Sequence, residues 1–504
     1  MSENNTRQQF NSKLGFILAA VGSAVGLGNI WRFPYVLYEN GGGSFLIPYF
    51  VAIFTAAIPL LILEYTLGNK FRGSAPLAFA RNNPKFEWVG WIPTFIGGMI
   101  VLYYSSIVSW AINYLFLSLN LGWGDSPEVF FFDGFLNMSD GAFHLGSINL
   151  NILLGLAVIW GGTYIVCSRS IDKGIERLNK ILLPILCVTV LFVLFRSVSL
   201  EGAKEGLNVL FTPDFAVLKE PRIWLAAYSQ VFYSLSVSMG IMITYSSYLP
   251  KDSDLVNTAF ITGLANSAFE LTVSIAIFAV LGYMAGQNGV PVTEVVASGV
   301  GLAFIAFPQA FNLMGPLGSM LGVAFFATLV FAGFTSFVSI TEAFITPFTD
   351  KFKFERAKAY KFVCLGGFLI SSIYATGAGL YILDIVDYFI NSFGIITVGI
   401  LEAIVVTYVF GLKKFRDLAN SNSIQKVGSL WMFSIAFIVP VLLSFNLVLF
   451  TISTIRDGYG GNTAASMAFY GGGTLVAIVV FSIIMSMLSW KNKEDLDFDV
   501  SEVN

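Results

Sequence analysis

Twelve long apolar runs, separated by short polar or charged clusters, leave this chain few folds to choose from. They fall at roughly 14–38, 43–68, 88–122, 149–167, 174–198, 223–248, 255–285, 318–348, 359–375, 383–411, 430–454 and 465–489. A helix crossing the hydrocarbon core of a bilayer needs about 20 apolar residues. Several runs exceed that length, so tilted or broken helices are expected. Backbone polar groups in lipid must be satisfied within their own segment, and the alternating pattern of a membrane strand is absent, so the spans are helices. Composition closes the other routes. Of 504 residues, 56% are hydrophobic and 12% charged, too much apolar surface for a soluble core to hide. A soluble enzyme, a disordered chain and a nucleic-acid binder are excluded. The expected class is an all-α polytopic membrane protein of about 12 helices. Its first run is too long for a cleaved leader and is retained as a span.

Lys and Arg set the expected orientation. Arg7 and Lys13 precede the first run, and clusters lie at 69–86, 168–180, 351–361 and 412–426, whereas the long segments 123–148 and 286–317 carry neither residue. Both termini are therefore expected in the cytoplasm, in a multi-pass protein of the cell membrane. The net charge of −3 points to no partner. His144 is the single histidine, and Cys167, Cys187 and Cys364 are scattered. No disulfide framework or histidine metal site is expected. Nor is catalysis by a Ser–His or Cys–His pair, or an organic cofactor.

Two runs carry interruptions. The first contains GSAVGLGN at 22–29, too rich in glycine for an unbroken helix. The sixth contains SLSVSMG at 234–240. Breaks in corresponding spans of two halves point to an inverted-repeat carrier with its site at mid-membrane. Asn29, Arg32, Glu64, Ser234, Ser236, Asn266, Glu270, Thr335, Ser336, Glu342, Asp387 and Glu402 also lie inside runs. An isolated serine there usually bonds back to its own helix. Ionisable groups in spans are functional candidates. Released carbonyls, amides and hydroxyls suit a hard cation such as sodium, and half-helix N-termini suit a carboxylate. Together they describe a sodium-coupled carrier of a small carboxylate-bearing solute.

The segments GSAVGLGNIWRFPYVLYENGGGSFLIPY (22–49), KGIERLNKILLP (173–184), LNVLFTPDF (207–215), FYSLSVSMGIMITYSSY (232–248), GLAFIAFPQAF (301–311) and FAGFTSFVSI (331–340) resemble, in order, those of the neurotransmitter:sodium symporter family, in its bacterial and archaeal amino-acid-transporting branch. The resemblance covers nearly the whole chain. It implies two five-helix inverted repeats, at 14–198 and 223–411, with helices 1 and 6 unwound. Helices 11 and 12 would follow at 430–489, between cytoplasmic tails at 1–13 and 490–504.

The resemblance also implies site residues. A first sodium would be held by Ala24, Asn29, Ser234 and Asn266, and a second by Gly22, Val25, Ala332, Thr335 and Ser336. Tyr104 would hydrogen-bond a substrate carboxylate, helped by amides near Leu27 and Gly28. The amine would meet carbonyls of Ala24, Tyr233, Ser234 and Ser236. Ile100, Tyr104, Tyr233, Met239, Ser336 and Ile340 would line the side-chain pocket. Gly26 stands where monoamine-transporting relatives have Asp, so the substrate is expected to bring its own carboxylate. A pocket without charge favours a neutral, bulky hydrophobic or aromatic L-amino acid. Glu270, where chloride-dependent relatives have Ser, implies chloride independence. Arg32 and Asp387 would form an outer gate. Arg7 and Asp350, supported by Ser247 and Tyr248, would form an inner one. Gly174 and Pro184 match a helix-unwinding motif in the fifth span. A carrier of another small carboxylate-bearing solute, and a non-transporting sensor on the same scaffold, are the alternatives.

Overall fold

The computed structural model describes residues 7–297 and 299–497. The expected tails therefore enter only in part, and 1–6 and 498–504 lie outside the described residues. Among the described residues all regular structure is helical. An antiparallel bridge joins Ile148 to Thr376.

The first run forms α1 (Lys13–Ala24) and α2 (Leu27–Glu39), which meet at 56°. Then come α3 (Gly42–Phe71), α4 (Pro84–Leu117), α5 (Leu150–Cys167) and α6 (Asp172–Val198). The sixth run is split into α7 (Pro221–Ser234) and α8 (Ile241–Ser246). They are followed by α9 (Leu255–Asn288), α10 (Gly299–Leu313) and α11 (Pro316–Phe352). The chain continues through α12 (Arg356–Ser371). It ends in α13 (Gly379–Asn420), α14 (Ser429–Asp457) and α15 (Ala464–Met487).

Every expected run is a helix or a broken helix. Nine helices among the described residues are long and apolar enough to cross a membrane, ten if α1 and α2 count as one span. The sixth and ninth runs fall short for different reasons. The sixth is divided by its break, and α12 has 16 residues, about 24 Å at 1.5 Å per residue. The apolar helix α10 was not foreseen, because 286–317 read as a connecting segment.

Side-chain caps fix where several helices start. Ser12 Oγ accepts the Gly15 N–H at 3.0 Å before α1, Asn149 Oδ1 accepts that of Asn151 at 2.9 Å before α5, and Asp254 Oδ1 accepts that of Asn257 at 3.0 Å before α9. The long helix α11 packs along α4, α6 and α1. All six residues of α8 are buried. By contrast α14 and α15 expose Val441, Phe445, Ile452, Val476 and Phe481, the dress of a lipid-facing surface. The site is thus walled by buried helices and shielded by peripheral ones.

Candidate functional site

The two breaks lie side by side. Between α1 and α2, Val25 and Gly26 are extended. The last carbonyls of α1 therefore lack the N–H partners a continuing helix would supply. Between α7 and α8 the chain turns through Ser236, Ser238 and Gly240 at φ of 53°, 65° and 70°. Glycine tolerates that left-handed region; for the serines it is strained backbone of the kind that gathers at functional sites. The Ser236 hydroxyl donates to the carbonyl of Ser23 at 3.4 Å, tying one break to the other.

One chain of polar side chains joins the residues assigned to a first sodium. Asn29 Oδ1 accepts the Gly26 N–H at 2.9 Å, and its amide nitrogen donates to Asn266 Oδ1 at 2.8 Å and Glu270 Oε1 at 3.2 Å. Asn266 in turn donates to Ser234 Oγ at 2.5 Å. All four side chains are buried. Glu270 also accepts from Gln230 at 3.3 Å and from the Tyr49 hydroxyl. Tyr49 and Gln230 were not foreseen. Each is an ordinary polar residue of a span, and its tie to Glu270 is a tertiary contact.

The residues assigned to a second sodium gather between α1, α6 and α11. A Cβ on Gly22 would fall 3.7 Å from Thr335 Cβ and only 2.2 Å from Asn179 Oδ1, so α6 reaches this point because residue 22 is glycine. Val25, Ala332 and Thr335 are buried. The Thr335 hydroxyl donates back to the carbonyls of Phe331 and Ala332, each at 3.1 Å. Asn179 was also missed. Its amide nitrogen bonds Ile175 O at 3.0 Å, while its buried oxygen has no hydrogen-bond partner. It lies inside the Gly174–Pro184 segment, next to Glu176, whose carboxylate accepts the Asn11 N–H at 2.7 Å and the Ser12 hydroxyl at 3.0 Å.

Above the breaks is a cavity of about 40 Å³. Its lining includes Ala24, Leu27, Gly28, Ile100, Tyr104, Tyr233, Ser236, Met239, Ser336 and Ile340, and it contains no Asp, Glu, Lys or Arg. Of the residues assigned to substrate, Ser234 alone is absent from this lining and sits in the asparagine chain instead. The Tyr104 hydroxyl accepts the Leu27 N–H at 3.2 Å, which leaves its proton free to point elsewhere. A Cβ on Gly28 would lie 2.2 Å from the Tyr233 ring, so that ring closes directly on the α2 backbone.

A second cavity of about 460 Å³ adjoins the first and shares Tyr103, Tyr104, Tyr233 and Asn391 with it. Arg32 and Asp387 both line it, yet the expected ion pair between them is not formed. The Arg32 guanidinium instead lies 4.3 Å from the Tyr233 ring centroid. Asp387 is occupied by Tyr103 at 2.7 Å and Asn391 at 2.8 Å.

A third cavity, of about 550 Å³, is lined by Arg7, Tyr248, Asp350 and Arg356. Arg7 pairs with Asp350 at 3.0 Å, donates to Ser247 Oγ at 2.8 Å and lies 5.0 Å from the Tyr248 ring centroid. Tyr248 donates to Glu342 at 2.7 Å. Glu342 also takes two bonds from Arg356, at 2.8 and 2.6 Å, and one from Tyr360. Nearby, burial first and repulsion from Arg7 second lower the guanidinium pKa of Arg72 and of Arg81 to about 10.

The sequence profile of the sodium:neurotransmitter symporter family matches residues 7–127 and 124–492. The chain is 40% identical over 488 residues to an uncharacterized sodium-dependent transporter of Methanocaldococcus jannaschii, covering 96% of this chain and 99% of that protein. It is 30% identical over 500 residues to the human sodium- and chloride-dependent GABA transporter 2, covering 90% of this chain and 82% of that one. It is also 30% identical over 521 residues to the sodium-dependent dopamine transporter of Caenorhabditis elegans, at 92% and 83% coverage. By its profile, its relatives and its broken helices, the chain belongs to the sodium:neurotransmitter symporter family.

Proposed function

We propose that the protein is a sodium-coupled symporter that imports a neutral L-amino acid with a bulky hydrophobic or aromatic side chain, without chloride. The observation that carries this reading is the small cavity. It is free of charged side chains, and Tyr104 and the N-terminal turn of α2 are placed to receive a carboxylate. Gly26 supplies no carboxylate of its own, so the substrate must bring one. In this reading the Asn29–Asn266–Ser234 chain turns its oxygens, with the Ala24 carbonyl, toward a first sodium that the substrate carboxylate completes. Carbonyls of Gly22, Val25 and Ala332 and the hydroxyls of Thr335 and Ser336 hold a second. Glu270 provides the negative charge that chloride would otherwise supply.

The scaffold for this is two five-helix repeats, 14–198 and 223–411, in the cell membrane, with both termini cytoplasmic. Arg7 and Asp350 then close the inner side, and Arg32 and Asp387 stand apart on the outer. Alternating access exchanges those two conditions. A relative named for GABA makes a γ-amino acid the second reading.

The test is uptake of radiolabelled tyrosine into proteoliposomes, with and without an inward sodium gradient and with chloride replaced by gluconate. Sodium-dependent, chloride-independent uptake competed by bulky neutral amino acids is expected. Sodium-dependent uptake of another solute alone would keep the symporter and overturn the pocket reading. Binding without uptake of any solute, by folded protein, would favour a sensor.

A further inference from the structure

Glu64 on α3 and Glu402 on α13 are both fully buried, and the site described above uses neither. Glu64 Oε1 accepts the main-chain N–H of Ser238 at 2.5 Å. Glu64 Oε2, both oxygens of Glu402 and the Ser238 hydroxyl have no hydrogen-bond partner. These groups gather at the break between α7 and α8. Ser238 Oγ lies 3.0 Å from where a Cβ on Gly399 would be. Glu402 follows Gly399 by three residues, on the same face of α13. The two carboxyls act on one another electrostatically.

Neither carboxyl is ion-paired among the described residues. Titratable groups on the surrounding helices are engaged elsewhere. Tyr65 donates to Thr262 and Tyr245 to Ser339, while Glu270 is held by Tyr49, Asn29 and Gln230. On α4, Tyr103 bonds Asp387 and Tyr104 accepts from Leu27. Lys413 and Lys414 are exposed at the end of α13, and Arg81, on the neighbouring helix Ala75–Asn82, bonds main-chain carbonyls of Phe71 and Arg72.

Two buried carboxylates that act on one another in a dry interior cannot both stay ionised. A hard cation would ask for about six oxygens; the unpartnered atoms here are the three carboxylate oxygens and one hydroxyl. A proton needs two. We propose that Glu64 and Glu402 form a proton-binding site that shares one proton across the break of the sixth span. Glu64 remains the carboxylate that holds the Ser238 N–H. Glu402 carries the proton. When the O–H bond of Glu402 breaks, the electron pair stays on its oxygen and the proton passes to water. Two like charges then act on one another beside Ser238.

This assignment does not depend on what is transported, and its test is spectroscopic. Infrared absorption spectra are taken of the full chain in lipid vesicles at pH values from about 6 to about 9, where exposed carboxyls are ionised. The expected result is a protonated-carboxyl C=O band that persists in the wild type and in Glu270→Gln. It is lost in Glu402→Gln, shifts in frequency in Glu64→Gln, and in the double variant is lost no further than in Glu402→Gln. A band unchanged in both single variants overturns the proposal. So does one that appears only when sodium is replaced by choline, which would mean a bound cation. Should the glutamine variants fail to fold, Glu402→Asp keeps the carboxyl and must shift the band; an unmoved band overturns the proposal equally.

Discussion

Replacing Tyr104 with Phe isolates the carboxylate contact on which the substrate reading turns. The ring stays, so the packing of a buried side chain is preserved. What disappears is one hydroxyl with two duties. It accepts the Leu27 N–H at 3.2 Å, and its own proton is free for the substrate carboxylate. A hydrogen bond to a charged group contributes about 1.5–3 kcal/mol, and a buried N–H left without an acceptor costs about 1–3 kcal/mol. The second figure falls on free and bound protein alike and cancels from binding, so about 2–3 kcal/mol is expected. At 1.4 kcal/mol per decade that weakens binding by about two orders of magnitude. The assay is equilibrium binding of radiolabelled tyrosine to purified protein at saturating sodium, beside a thermal melt to show that the fold is intact. Tyr103→Phe is the control. That hydroxyl bonds Asp387 at 2.7 Å, so its loss is expected to weaken binding at least tenfold less. A folded Tyr104→Phe protein that binds within threefold of wild type would refute the carboxylate argument.

Glu270→Ser should make uptake chloride-dependent, read as the ratio of uptake in chloride to uptake in gluconate; an unchanged ratio removes Glu270 from charge balance. Asn266→Ala removes an amide that bonds both Asn29 and Ser234. It should raise the sodium concentration for half-maximal binding at least tenfold, measured by sodium titration of tyrosine binding. Arg7→Ala breaks the Asp350 pair and the Ser247 bond together. A cysteine placed at Ser247 should then be labelled faster by a soluble maleimide applied from the cytoplasmic side. Glu342→Gln strips the buried partner of Arg356. Removing one member of a buried pair costs about 3–5 kcal/mol, so the melting temperature should fall clearly while the sodium dependence of the remaining binding is kept.

Much of the architecture could be read in advance because lipid imposes a simple code: apolar length marks a helix, and glycine or clustered serine inside it marks a break. The oxygen-bearing residues of the first, sixth, seventh and eighth runs stood out as polar groups in apolar stretches, and their division into two sites was what the family resemblance implied. What escaped was tertiary. Nothing in the order of residues says that Tyr49 and Gln230 reach Glu270, or that Asn179 faces Gly22. Helix α10 escaped because a short apolar stretch between spans looks like any connection. The family resemblance implied that Arg32 meets Asp387, but a distance depends on the state of the vestibule, and here an aromatic ring and a tyrosine hydroxyl take the two partners instead.

Glu176 and Asn179 sit three positions apart on α6, and each grips something different. Glu176 holds the main chain of Asn11 and the hydroxyl of Ser12. Asn179 presses its oxygen against Gly22. Both grips depend on the same turn of helix, between a glycine that loosens it and a proline that cannot complete it. If that turn melts, the amino-terminal strap and the packing around the second oxygen site are lost in a single stroke. Timing is then a matter of covalent neighbourhood: the two contacts are released together because one stretch of backbone is holding both.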